Sequence, residues 1–117
     1  MMIKNEGESL YTIIYALVRS VPESRVITYG RVAELVRQRT SKGCTPRMVG
    51  YALSALKKHS ESTDVPWQRV INSAGKISVH GDGFGNAIQR KLLEAEGISF
   101  DADSRVDFDE CEWLGFD

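Results

Sequence analysis

Two short amphipathic stretches, each introduced by a threonine and separated by a polar connection, constrain this chain more than any other feature. The first follows Thr28, whose hydroxyl can cap free helix N–H groups, and carries Val32, Ala33, Leu35 and Val36 on one face. It fades in the polar run from Arg37 to Gly43. The second opens with Thr45 and Pro46, residue types suited to an N-cap and a first helical turn, and continues with Val49, Ala52, Leu53 and Leu56 along one side. Together they have the outline of a helix-turn-helix, with a connection longer than the usual three or four residues. Upstream, Leu10, Ile13, Ile14, Leu17 and Val18 recur at three-and-four spacing, predicting another helix from about Ser9 to Ser20 that Pro22 ends.

Downstream, Val65 to Ile71 and Lys76 to Val79 flank the turn residues Asn72-Ser73-Ala74-Gly75, a pattern that predicts a hairpin or wing. Gly81 to Gly85 reads as a flexible glycine-rich loop, since neither a Walker pattern before it nor Lys-Ser or Lys-Thr after it supports a phosphate cradle. A last helix is expected from about Asn86 to Glu96, with Ile88, Leu92 and Ala95 inward and Gly97 as its stop. Val106, Phe108, Trp113 and Phe116 then punctuate an acidic segment, which is expected to lie extended on the core. The fold class is mainly α with a small β-hairpin or wing.

At 117 residues, 42% of them hydrophobic, the chain suits one globular domain with its own core, residues 1–117. No window approaches the roughly 18 apolar residues of a membrane span, and Met1 to Ser9 has no apolar signal-peptide core, so a soluble cytosolic or nuclear protein with no membrane partner is expected. Cys44 and Cys111 lie far apart, which excludes a disulfide framework and a structural zinc site; no metal or other cofactor is expected.

The formal net charge of −1 argues against a polyanion partner until it is divided by segment. Residues 25 to 58 carry eight basic side chains against Glu34 alone, whereas residues 94 to 117 carry nine acids against Arg105. Either run could be an ordinary solvated face. The basic one, however, contains the helix pair.

Three segments in order resemble the DNA alkyltransferase family, and most of all its alkyltransferase-like branch. They are Val26-Ile27-Thr28-Tyr29-Gly30-Arg31-Val32-Ala33, Pro46-Arg47-Met48-Val49-Gly50-Tyr51-Ala52-Leu53, and Val65-Pro66-Trp67-Gln68-Arg69-Val70-Ile71-Asn72-Ser73. The resemblance implies a winged helix-turn-helix-like domain with the helix pair at about 28–58, a pocket motif at 65–81 and an acidic segment at 98–117. The enzymes of this family move the alkyl group of O6-alkylguanine onto the cysteine of a Pro-Cys-His-Arg-Val motif. Here Trp67 stands at the cysteine's position and Gln68 at the histidine's. An indole has no usable nucleophilic lone pair and a carboxamide does not titrate near neutral pH, so no enzyme is expected.

By resemblance, Thr28, Tyr29, Arg47 and Gly50 contact DNA. Tyr29 corresponds to the tyrosine that turns the target phosphate, and Arg47 to the finger arginine that fills the place of the flipped nucleotide, a task suited to a planar, permanently charged guanidinium. Gly50 allows the second helix to approach the minor groove closely. Pro66, Trp67, Arg69, Ile77, Ser78 and His80 correspond to the alkylguanine pocket, with Arg69 in a supporting role. His80 occupies a position where relatives often place a stacking arginine and the enzymes a tyrosine. Taken singly, Tyr29 reads as a half-exposed aromatic, Arg47 as a surface arginine and Trp67 as a core residue.

The expected partners are double-stranded DNA containing O6-alkylguanine and nucleotide excision repair proteins, with the chain acting as a monomer. A bacterial protein would work in the cytoplasm on the nucleoid, and a eukaryotic one in the nucleus. Two alternatives stay open. A winged-helix transcription regulator would use the same helix pair but leaves Pro66-Trp67-Gln68-Arg69-Val70 without a role. A residual alkyltransferase could use a cysteine outside the motif, Cys44 being favoured by basic neighbours that would lower its pKa.

Overall fold

The computed structural model describes residues 9–57, 64–78 and 84–116. Three helices carry the first half: α1 (Leu10–Arg19), α2 (Tyr29–Arg39) and α3 (Pro46–Lys57). Each begins where a hydroxyl meets free N–H groups. Ser9 Oγ accepts from Thr12 N at 3.1 Å, Thr28 Oγ1 from Arg31 N at 3.0 Å and Thr45 Oγ1 from Met48 N at 3.2 Å. The three helices pack on one another around Ile14, Val18, Val32, Val36, Val49 and Ala52, all buried. Burying each larger aliphatic side chain contributes roughly 1.5–3 kcal/mol, which exceeds what helix propensity could supply at these lengths.

A two-strand sheet joins the halves of the chain. β1 (Ile27–Thr28) pairs in parallel with β2 (Val70–Ile71), Ile27 opposite Val70 and Thr28 opposite Ile71. The hairpin expectation is corrected here. The Asn72 turn forms, with Asn72 N donating to Lys76 O at 3.0 Å and the Asn72 side chain accepting from Ala74 N and Lys76 N. Residues 76–78 nevertheless form no strand, and β2 takes its partner from the other half of the chain. Ahead of β2, Trp67–Arg69 makes one 3-10 turn.

α4 (Phe84–Ala95) starts two residues before the expected point, so residues 84 and 85 of the glycine-rich run are helical; residues 79–83, including His80, lie outside the described residues. Gly97, at φ +95, follows α4 as expected. The inward face of α4 is corrected. Leu93 (0% exposed) and Gln89 (5%) point inward, whereas Ile88, Leu92 and Ala95 are exposed. Gln89 is held inside by backbone carbonyls, since its amide donates to Gln68 O at 3.0 Å and Val70 O at 2.9 Å. Leu93 joins Val26, Ile71, Ile98, Val106 and Cys111 in a second buried cluster.

The acidic segment lies on this cluster, as expected, but it is not wholly extended: α5 (Phe108–Cys111) interrupts it. Val26 N donates to Cys111 O at 2.8 Å and Trp113 N to Val26 O at 2.7 Å, so the residue just ahead of β1 is bridged to this segment while β1 itself pairs with β2. Among the described residues no helix is long and apolar enough to cross a membrane, and no group of metal-ligating side chains occurs.

Candidate nucleic-acid interface

The start of α2, the outer face of α3 and the Asn72 turn surround an open cavity of about 570 Å³, within the size range of small-molecule and base-binding pockets. Tyr29 comes from the first turn of α2, where the Thr28 cap fixes the chain direction; Thr28 itself is occupied by that cap. The Tyr29 ring is half-buried. Burial raises its phenol pKa above the ordinary value, against the opposing effect of a side-chain hydrogen bond with Ser78, also in the cavity wall. The phenol is therefore neutral at physiological pH and retains its proton.

α3 presents Arg47, Gly50, Tyr51 and Ser54 to the cavity, the i, i+3, i+4, i+7 face opposite the buried Val49, Ala52 and Leu53. Arg47 is exposed, and no hydrogen bond or ion pair engages its guanidinium among the described residues. The other four arginines of the basic segment are committed within the chain. Arg25 donates to the Glu110 carbonyl, Arg31 to Glu34 and to Leu114 O, each at 2.7 Å, Arg37 to Cys44 O at 2.6 Å, and Arg39 lies 4.1 Å from the centre of the Phe116 ring. Of these only Arg31 meets an opposite charge, so the segment keeps its positive field while four of its arginines are held in place.

Gly30 and Gly50 form bare parts of the same wall. A methyl group at either would meet nothing within 4 Å, and neither has a left-handed backbone. Glycine inside a helix costs roughly 0.5–1 kcal/mol relative to alanine, and no internal contact here demands it. The space it leaves faces outward.

The structure thus brings Tyr29, Arg47, Gly50 and Ser78 to one cavity. Pro66, Trp67, Arg69 and Ile77 are not part of its wall. Trp67 packs on the core of α1–α3, and Ile77 on the cluster around Leu93. Gln68 and Arg69 turn toward Glu96: Gln68 Nε2 donates to Oε2 at 2.8 Å, and Arg69 Nε to both oxygens at 3.0 and 3.1 Å, while Arg69 Nη1 reaches Val21 O at 2.8 Å. Burial alone would raise the Glu96 carboxyl, but hydrogen bonds from Arg69, the Ser24 N–H and Gln68 together hold it below the ordinary glutamate value. Tyr51, Ser54, Gly30, Pro46, Asn72 and Ser73 belong to the wall as well, and the resemblance gives none of them a site role. For Tyr51 and Ser54 the signal was present, as their spacing from Arg47 places them opposite the apolar stripe.

The cysteine alternative is weakened by burial. Desolvation raises the Cys44 thiol despite nearby Arg37, contrary to the expected lowering. Desolvation and then Asp107 raise Cys111. Both thiols are buried, so the reactive thiolate is disfavoured at each.

A helix pair with a small sheet and an arginine-bearing outer face suits a DNA-binding domain. Residues 9–98 match the family described as 6-O-methylguanine DNA methyltransferase, DNA binding domain, and the chain belongs to that family. Within it, the chain is 40% identical over 91 residues to alkyltransferase-like protein 1 of Schizosaccharomyces pombe, covering 78% of each. It is 32% identical over 100 residues to the DNA base-flipping protein of Escherichia coli, covering 86% of this chain and 70% of that one. Its fold is similar to that of S. pombe Atl1 in complex with damaged DNA containing O6-carboxymethylguanine, with a TM-score of 0.72 and 34% identity over 88% of this chain and 93% of the other.

Proposed function

We propose that this chain recognises O6-alkylguanine in duplex DNA and does not repair it. α3 lies in the minor groove, Tyr29 turns the target phosphate, Arg47 takes the place of the expelled base, and the alkylated base enters the cavity beside Ser78. The observation that carries this reading is the convergence of Tyr29, Gly50 and Ser78 with an uncommitted Arg47 at one open cavity. Base extrusion costs a few kcal/mol, least where pairing is already weakened, and stacking returns roughly 1–3 kcal/mol per base. These terms nearly cancel, so a lesion that weakens pairing and buries one extra methyl, worth about 0.8 kcal/mol, tips the balance.

Alkyl transfer has no acceptor in this reading. Trp67 occupies the motif position, Gln68 supplies no base, and both cysteines are buried thiols. Pro66, Trp67 and Ile77 back the pocket, Arg69 braces it through Glu96, and His80 stacks on the lesion base. Binding without repair must act as a signal, and the complex, formed by a monomer on nucleoid or nuclear DNA, marks the lesion for nucleotide excision repair proteins.

The test is competition binding with duplexes that differ only by O6-methylguanine, at two salt concentrations, followed by intact-mass measurement. The lesion duplex is expected to compete better at both salts, with parallel losses of affinity as salt rises and no change in protein mass. Equal competition by undamaged DNA, or an added methyl mass, refutes the reading.

A further inference from the structure

We infer that Tyr51 makes lesion binding depend on base sequence, by favouring an A·T pair about two steps from the flipped nucleotide. The inference rests on the DNA reading above and adds a specificity-determining contact to it. Tyr51 is 56% exposed on the cavity wall, beside the bare surface at Gly50 and one turn beyond Arg47. Arg47 and Tyr51 therefore stand like two posts on either side of a saddle. Leaving an aromatic ring this exposed does nothing for the core; its position instead offers a rigid arm with a hydroxyl at its tip.

Four residues of helix rise about 6 Å, close to two base-pair steps of 3.4 Å. With Arg47 at the vacated nucleotide, Tyr51 meets the groove about two pairs away. The minor groove is about 6 Å wide and 7.5 Å deep, so a ring enters it edge-on and its hydroxyl approaches the floor. There an A·T pair offers only acceptors, adenine N3 and thymine O2, to which the phenol O–H donates. A G·C pair adds the guanine N2 amino group, which projects into the groove and meets the ring tip. Arg47 on the same face is taken up at the vacated nucleotide, Ser54 is short and Gly50 has no side chain, which leaves Tyr51 to reach the neighbouring pair.

The test uses duplexes containing one O6-methylguanine, with the pairs two steps to either side set to A·T, G·C or inosine·C; inosine removes only the N2 amino group. The wild-type protein should bind the A·T and inosine·C duplexes about fivefold more tightly than G·C, the worth of one exchanged hydrogen bond. Tyr51→Ala should bind all three within about twofold, and Tyr51→Phe should lose most of the preference. Circular dichroism of both variants checks that α3 is intact. A wild-type protein that prefers the lesion but binds all three contexts equally overturns this inference alone, as does a preference that survives in Tyr51→Ala. Loss of any lesion preference in the wild type overturns the DNA reading and this inference with it.

Discussion

Replacing Glu96 with glutamine tests the bracing of the 3-10 turn at Trp67–Arg69. The carboxylate ties three separate parts of the chain: Ser24 N donates to it at 3.0 Å from the loop after α1, Gln68 and Arg69 donate from the 3-10 turn, and Glu96 itself directly follows α4. The Arg69 and Glu96 side chains retain 16% and 11% of their exposure, so screening by solvent is weak. Breaking a buried pair costs about 3–5 kcal/mol. Because Arg69 keeps its bond to Val21 O, the lower end applies, about 3 kcal/mol, or a fall in Tm of roughly 12 °C for a chain of this size. The carboxyl is held below its ordinary value in the fold, so its contribution is complete above that value and disappears as pH falls through the lowered one. Thermal melts of wild type and Glu96→Gln at pH 7 should therefore differ by that amount, and the difference should shrink as pH falls below the ordinary glutamate value. A difference that is absent at pH 7, or that does not shrink on acidification, refutes the argument.

Leu93→Ala should cost about 2–5 kcal/mol in urea unfolding, whereas Leu92→Ala, on the exposed side of the same helix, should cost less than about 1 kcal/mol. Arg47→Ala should remove most of the lesion preference, leave much of the salt-dependent background binding, and shift Tm by no more than about 2 °C, because the side chain is exposed. Equal losses on damaged and undamaged duplexes would contradict the finger role. Cys44 and Cys111 should react slowly with a thiol reagent at pH 7 and rapidly after unfolding in denaturant; fast reaction of the folded protein would contradict their burial.

The first half of the fold was legible because its signals are local. Thr28 and Thr45 each cap the helix that their position announces, and the apolar stripes of α1, α2 and α3 have no competing face. α4 carries two candidate faces, one through Ile88 and Leu92 and the other through Gln89 and Leu93. The choice falls to carbonyls about twenty residues upstream, at Gln68 and Val70, which need the Gln89 amide. Hydropathy cannot register that need. The parallel pairing of β1 with β2 has the same character, since the Asn72 turn was readable but the partner lay in another part of the chain. At the cavity, Tyr29, Arg47 and Gly50 stood out through motif resemblance. The turn of Gln68 and Arg69 toward Glu96 depends on tertiary packing that no spacing reveals.

The bridge between Val26 and Glu112 also bears on how this protein is made. Ribosomes add about 5–20 residues per second, so the 86 residues from Ile27 to Glu112 take roughly 4–17 s to synthesise. Throughout that interval Val26, just ahead of β1, has no bridge partner, and a nascent chain must wait with that stretch of backbone open to pairing with a neighbour. β1 is only two residues long, which offers such a neighbour very little to grip.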